Sequence, residues 1–252
     1  GGTETGRKII EKSADTIKDI ALELGGKSPN IFFEDVDIDR AVEWARYGFT
    51  LHAGQVCVSG SRLIVHKSIY EEFITKLKAE VEKFVPGDGF DPKTTLNTLI
   101  SRQHCNSVWN YIEKGKAEGA RLVTGGVPYT DPKLEKGNFV PPTIFADVTP
   151  DMTIFQEEIF GPVVTVTSFE TEEEAIALAN STIYGLAGGI NTNDVKRALR
   201  AVNKIHGGQI YVNSYFSKAM VESPGTGWKQ SGLGLAGIHK YMISKTVFFD
   251  TV

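Results

Sequence analysis

The chain has 252 residues, with 27 lysines and arginines against 31 aspartates and glutamates and a net charge of −4. Its densest basic stretch, Lys196 to Lys204, lies beside Asp194, so no polyanion-binding surface is expected and nucleic acid is excluded as a partner. No apolar run approaches the roughly 18 residues of a membrane span. No secretory leader is expected, and two cysteines, Cys57 and Cys105, cannot build a disulfide framework, which points to a reducing, cytoplasmic compartment.

Gly1-Gly2-Thr3-Glu4-Thr5-Gly6 opens the chain without a methionine or a leading strand. It reads as the middle of a motif, cut from a longer polypeptide. A helical run from Arg7 to Ile17 follows, so these glycines form either an ordinary turn or a phosphate-facing turn at a helix N-terminus. Ile31-Phe32-Phe33 reads as a buried strand. Asp37 is placed to cap a helix from Ile38 to about Leu51, with Ala41, Val42, Ala45 and Phe49 at helical spacing. Leu63 to Val65 is a strand, and Ser68 to Phe84 a helix with Tyr70, Phe73, Ile74, Leu77 and Val81 on one face. A loop around Gly87 to Pro92 leads to a helix over 102–118 and the strand Leu122-Val123. Pro162 precedes a strand from Val163 to Thr167; Thr171 to Glu174 forms a capping box for a helix through Ala179. A helix from Asp194 to Ile205 and a strand from Ile210 to Val212 follow. Lys245 to Val252 alternates like a strand. Strands alternating with helices predict an α/β fold: a mostly parallel sheet with helices on both faces. The last strand follows no helix; it is either an edge strand of that sheet or a template for pairing with another chain.

Three segments carry candidate chemistry. In Gly54-Gln55-Val56-Cys57 a thiol sits among small residues, where backbone can approach a substrate and a positive dipole would lower the thiol pKa; alone, such a cysteine is as readily an inert core residue, which is how Cys105 is read. In Leu22-Glu23-Leu24-Gly25-Gly26-Lys27-Ser28-Pro29 the carboxylate of Glu23 lies among apolar residues, which raises its pKa toward the general-base range; a surface glutamate at a strand end is the plainer reading. In Glu157-Glu158-Ile159-Phe160-Gly161-Pro162 a carboxylate suits the two hydroxyls of a ribose and an aromatic suits a flat ring, against the plainer reading of a helix end and a turn.

Taken together and in chain order, 22–29 then 54–57 then 157–162, the three segments resemble the aldehyde dehydrogenase superfamily. The resemblance extends to Ser61-Arg62, Tyr111-Ile112 with Gly115, Gly125-Gly126, Pro141-Pro142-Thr143, Tyr184-Gly185-Leu186-Ala187, Val212-Asn213 and Lys229 with Ser231-Gly232, and so covers the whole chain. It implies oxidation of an aldehyde to an acid with NAD or NADP. Cys57 would be the nucleophile and Glu23 the base that activates water. Glu158 and Phe160 would meet the nicotinamide end of the cofactor, with Gly1, Gly2, Gly6, Leu24 and Gly25 also on the cofactor side. Asn213, Tyr215, Phe216 and Trp228 would lie toward the substrate, with a mild preference for an apolar or aromatic aldehyde. No metal is implied.

Members of the family are about twice this long, so the chain is expected to be their C-terminal half. Residues 1–26 would be the end of the NAD(P)-binding domain, 27–236 the catalytic domain, and 237–252 a return segment whose strand makes a homo-oligomer. Several positions depart from the family pattern. Gly2 stands where a serine usually meets the pyrophosphate, and Val58 and Ser59 after the cysteine are unusual. Pro224-Gly225-Thr226-Gly227-Trp228 lacks the usual phenylalanine, and Leu235 replaces an arginine. Two other readings stand beside the enzyme: a catalytically disabled scaffold acting in oligomerisation, and a thiol esterase working through Cys57 without cofactor.

Overall fold

The computed structural model describes residues 1–216, 227–234 and 237–250. In chain order the elements are α1 (Thr3–Ser13), β1 (Leu22–Glu23), β2 (Pro29–Phe32), α2 (Ile38–Thr50), β3 (Arg62–His66), α3 (Tyr70–Val81), α4 (Arg102–Ala117), β4 (Arg121–Thr124), β5 (Thr143–Ala146), α5 (Thr153–Gln156), β6 (Val163–Phe169), α6 (Glu172–Asn180), β7 (Tyr184–Gly185), β8 (Ala187–Asn191), α7 (Val195–Lys204), β9 (Gln209–Val212), β10 (Trp228–Lys229) and β11 (Gly232–Leu233).

Seven of these strands form one sheet in the order β4-β5-β6-β3-β2-β8-β9. Only the β4–β5 pair is antiparallel; the others run parallel, with Ile31 opposite Ile64 and Ile190 at the centre. Alternate side chains of the central strands enter different cores, as the strand period of two requires. Phe32, Leu63 and Val65 pack with Ala41, Val42, Ala45 and Phe49 of α2 and with Phe73, Ile74 and Leu77 of α3. Ile31, Phe33 and Ile64 pack on the other face with Ala175, Ile176 and Ala179 of α6 and Ala201 of α7. Cys105, Val108 and Ile112 of α4 form a third core with Phe145, Phe155 and Ile159. The fold is therefore the helix-covered, mostly parallel sheet that the alternation of elements predicts.

Capping follows the sequence signals. Asp37 Oδ1 accepts from the Asp39 and Arg40 backbone N–H groups at 3.1 and 3.2 Å. Thr171 Oγ1 accepts from Glu174 N at 3.2 Å, but the Glu174 carboxylate reaches back to Glu170 N at 2.8 Å, one residue beyond the expected partner. The first helix starts at Thr3 rather than Arg7 and stops at Ser13, because backbone after Gly2 is already free to wind and Ile17 turns left-handed at φ 51°. The expected strand over Lys245 to Val252 is not formed: residues 242–250 make no ladder, and 251–252 lie outside the described residues. A strand needs a hydrogen-bonded neighbour, and residues 242–250 have none among the described residues. Pro224 to Thr226, Leu235 and the expected domain boundary at 236 also lie outside the described residues.

Two short antiparallel ladders lie apart from the main sheet. β1 pairs with β11, Glu23 opposite Gly232, and β7 pairs with β10, Gly185 opposite Trp228. Leu24 N adds a bond to Ser231 O at 2.9 Å. The first ladder stitches residues 232–233 onto the segment that carries Glu23, and the second holds residues 228–229 on residues 184–185.

Candidate active site

The three candidate segments meet at the amino ends of the parallel strands: the turn 24–28 leads into β2, the loop 54–61 into β3 and the turn 157–162 into β6. Glycine lets their backbones touch. A Cβ on Gly25 would lie 2.3 Å from Glu158 Oε2, one on Gly26 2.2 Å from the Cys57 carbonyl oxygen, and one on Gly54 2.1 Å from the Gly161 carbonyl oxygen. The chain enters the cysteine loop through three successive left-handed residues, His52, Ala53 and Gly54, at φ 51°, 54° and 73°. For the first two this is a strained conformation, of the kind that concentrates at functional sites. Gln55 secures the bend: its Nε2 donates to His52 O at 3.0 Å and its Oε1 accepts from Ile100 N at 2.9 Å.

Cys57 is half-buried, whereas Cys105 is sealed in the core. Burial pushes the Cys57 thiol up, and the negative charges of Glu158 and Glu23 push it further, against a backbone N–H from Val58 that draws it down. The lowered thiol pKa expected from the sequence is thus not what the surroundings produce, because burial outweighs the backbone N–H that draws the thiol down. Glu23 lies at the exposed rim. Its partial burial still raises the carboxyl, so the direction suits a general base.

Glu158 is the more enclosed acid. Its Oε1 accepts from Gly26 N at 3.0 Å, and burial raises its pKa against the pull of that N–H and of the Lys27 charge. Its neighbour Glu157 accepts from Tyr111 Oη at 2.7 Å. Phe160 sits at φ 56° with its ring part-exposed, and His104 Nε2–H donates to its carbonyl at 2.6 Å. Beneath the site Arg62, 1% exposed, donates to the carbonyls of Lys27, Leu178 and Ala179 at 2.8, 2.8 and 2.7 Å and lies over the Phe155 ring. Burial pushes the guanidinium pKa down, and the three carbonyls hold its charge.

The remaining expected residues divide. Gly2 is the N-cap of α1 with open space around it, and the Gly1 amino group donates to Glu23 O at 2.8 Å. Gly6 has a packing use, since a Cβ there would lie 2.7 Å from Leu24 Cδ1. Tyr215 turns back beneath the cysteine loop, fully buried, and its Oη donates to Val58 O at 2.9 Å. Its ring meets Tyr211 and Phe216, and Phe216 in turn meets Tyr47 of α2. Asn213 is not brought to the cysteine: it follows β9 at the opposite end of the sheet, where its amide bonds both N and O of Thr192 at 2.9 Å. Trp228 joins a different group, packed on His206 with ring centroids 6.0 Å apart.

Sequence reasoning passed over Lys27, His104, Tyr47 and Tyr211. Tyr47 and Tyr211 follow helix and strand patterns indistinguishable from core packing, and His104 carried no signal beyond its place in a helix. Among the described residues no group of three or more His, Cys, Asp or Glu could hold a metal ion, and no helix is long and apolar enough to cross a membrane.

Comparison with known proteins accords with this geometry. The profile of the aldehyde dehydrogenase family matches residues 1–248. A betaine aldehyde dehydrogenase of Bacillus subtilis (strain 168) is 44% identical over 255 residues, covering 100% of this chain and 52% of that protein. An aldehyde dehydrogenase of Monascus ruber is 45% identical, covering 93% and 46%. The crystal structure of a betaine aldehyde dehydrogenase from Staphylococcus aureus in complex with NAD+ superposes with a TM-score of 0.91 at 45% identity, covering 93% of this chain and 46% of that one. The chain spans about half the length of the relatives it matches.

Proposed function

Because the chain belongs to the aldehyde dehydrogenase family, we propose that it forms the catalytic part of an enzyme that oxidises an aldehyde to a carboxylic acid with NAD(P)+. The observation that carries this reading is the convergence of Gly26, Cys57 and Glu158 at one point, each held there by a glycine contact.

Cys57 Sγ adds to the aldehyde carbon once its proton has left. The raised thiol pKa makes deprotonation part of the task, and a base in reach is required. The oxyanion of the adduct lies where the Cys57 backbone N–H can donate to it. A bound NAD(P)+ would supply the hydride acceptor needed for the adduct on Cys57 to become a thioester. Glu23, at the open rim, takes a proton from the water that hydrolyses the thioester.

The residues present fit the cofactor. Gly25 leaves one Glu158 oxygen bare of side-chain cover, the Phe160 ring is part-exposed beside it, and the N-terminus of the eleven-residue α1 opens at Gly2. Glu158 would accept the ribose hydroxyls, Phe160 would pack near the nicotinamide, and the Gly1–Gly2 turn, with Gly6 and Leu24 behind it, would face the pyrophosphate.

The aromatic group of Tyr47, Tyr211, Tyr215 and Phe216 suits an apolar or aromatic aldehyde. It equally suits the quaternary ammonium of betaine aldehyde, since aromatic faces attract cations. We assign residues 1–26 to the cofactor domain, 27–236 to the catalytic domain and 237–252 to a return segment. Residues 245–252 would pair with a second subunit, supplying the neighbour that residues 245–250 lack among the described residues. A cytoplasmic location accords with two unpaired cysteines.

The test is NADH absorbance with betaine aldehyde and benzaldehyde as substrates, using the protein that contains this chain. Cys57→Ala should abolish turnover. Glu23→Gln should leave a rapid first turnover and slow the following ones by roughly 10²–10⁴-fold. Turnover surviving Cys57→Ala would refute the reading.

A further inference from the structure

Tyr215 is expected from the sequence to face the substrate, yet its side chain is 0% exposed. The chain bends to bury it. Asn213 and Phe216, on either side, are left-handed at φ 50° and 57°. The Asn213 amide holds the first bend by bonding both N and O of Thr192 at 2.9 Å. A left-handed phenylalanine is strained, and such strain persists only where the surroundings enforce it.

The buried ring meets bare backbone from a helix, a loop and a strand. A Cβ on Gly48 of α2 would lie 3.3 Å from Tyr215 Cδ1, one on Gly60 2.9 Å from Cζ, and one on Gly189 of β8 3.0 Å from Cε2. At the end of this socket the hydroxyl donates to Val58 O at 2.9 Å. Gly60 N and Ser59 Oγ tie the far side of the same loop to α2, donating to Gly48 O at 2.9 and 3.1 Å. Among the described residues no other group donates to Val58 O. A phenylalanine would fill the socket equally well; the hydroxyl is the part that reaches the cysteine loop. Val58 directly follows Cys57, and its N–H is the backbone donor that acts on the Cys57 thiol. A carbonyl that loses its only donor is free to turn toward water, and the rest of the residue turns with it.

We propose that Tyr215 is a positioning residue for Cys57: its hydroxyl, aimed by the glycine socket, grips the Val58 carbonyl and so fixes the backbone that carries the nucleophile. The consequence for turnover rests on the function proposed above; the hold on Cys57 does not.

The experiment measures alkylation of Cys57 by iodoacetamide across pH, read by peptide mapping, in the protein that contains this chain. Tyr215→Phe keeps the ring and removes the one bond. Freed of it, Val58 should present its N–H to the sulfur less of the time, so alkylation below the thiol midpoint should slow by at least about threefold, a half-unit rise in that midpoint. Tyr70→Phe is the matched control. Tyr70 is also buried, and its Oη donates to a backbone carbonyl, Val166 O, at 3.1 Å, in the core of α3. Its loss should lower the denaturant midpoint and leave Cys57 alkylation unchanged. A Cys57 midpoint that is unmoved or lower in folded Tyr215→Phe overturns the proposal, as does an equal shift in Tyr70→Phe. Should circular dichroism show Tyr215→Phe unfolded, tyrosine labelled with carbon-13 at Cζ and placed at position 215 alone decides. Coupling is reciprocal, so alkylating Cys57 should shift that signal and leave the same label at position 70 in place; an unmoved signal at 215 overturns the proposal. Alkylation needs neither aldehyde nor NAD(P)+, so a failure here is separable from a failure of the proposed activity.

Discussion

Burial drives the Cys57 thiol up and the Lys27 amine down, so both groups are held toward their neutral forms. For Cys57 the carboxylates of Glu158 and Glu23 act in the same direction as burial. Glu158→Gln keeps an acceptor for Gly26 N–H and removes the charge; it should speed alkylation of Cys57 by iodoacetamide at pH 8, about threefold for a half-unit fall in thiol pKa. Peptide mapping should show Cys57 labelled well ahead of the buried Cys105, and equal labelling would count against the assigned exposure. For Lys27 the consequence lies in stability. Its folded pKa of about 7 is below the unfolded value of about 10.4, so between these pH values the unfolded chain binds more protons than the folded one. Stability attributable to this residue should therefore rise as pH goes from about 7 to about 10. Urea midpoints measured across that range should climb for the unsubstituted chain, and Lys27→Met should be flatter and more stable at pH 7.

At the scale of elements, the site depends on loops that leave the amino ends of the strands and touch only where side chains are missing. Gly54 combines a left-handed backbone with a Cβ position 2.1 Å from Gly161 O. Gly54→Ala should destabilise the chain by more than about 2 kcal/mol, since strain and a backbone clash add. Gly89→Ala is the control. It has open space around it and should change stability by no more than about 0.5 kcal/mol. Denaturant midpoints for the pair test whether the two loops are locked together. The helices α2, α6 and α7 were legible because capping side chains and apolar spacing coincide; Asp37, Thr171 and Asp194 all cap as their positions suggest. Strands β5 and β8 were not. Thr143 to Ala146 is only four residues long, and β8 contains Gly188 and Gly189, which weaken any strand pattern.

At the scale of the whole molecule, the chain is about half the length of its relatives, and the nicotinamide-side contacts proposed for it are Glu158 and Phe160 alone. Two contacts do not offset an association cost of about 4–15 kcal/mol. The 252-residue chain alone should give no saturable heat with NAD+ below millimolar concentration and no steady NADH production. Sub-millimolar binding would mean that the α1 N-terminus and the 24–28 turn hold the cofactor without help. Residues 232–233 are held on β1 and residues 228–229 on β7, each by one two-residue ladder.

The order of the motifs along the chain, the α/β class and the candidate pair of Cys57 and Glu23 could be read from the sequence, because each depends on local pattern or on residue identity at fixed spacing. Tertiary structure decided the rest. It decided that the Cys57 thiol is raised, since that depends first on burial and then on Glu158, which is distant in sequence and close in space. It separated Asn213 from the cysteine while bringing Tyr215 beneath it, although the two are neighbours in the chain. It also revealed Lys27 as a buried, unpartnered amine, which no local pattern distinguishes from an exposed one. Electrostatic environment and burial are sums over neighbours that only the folded chain assembles.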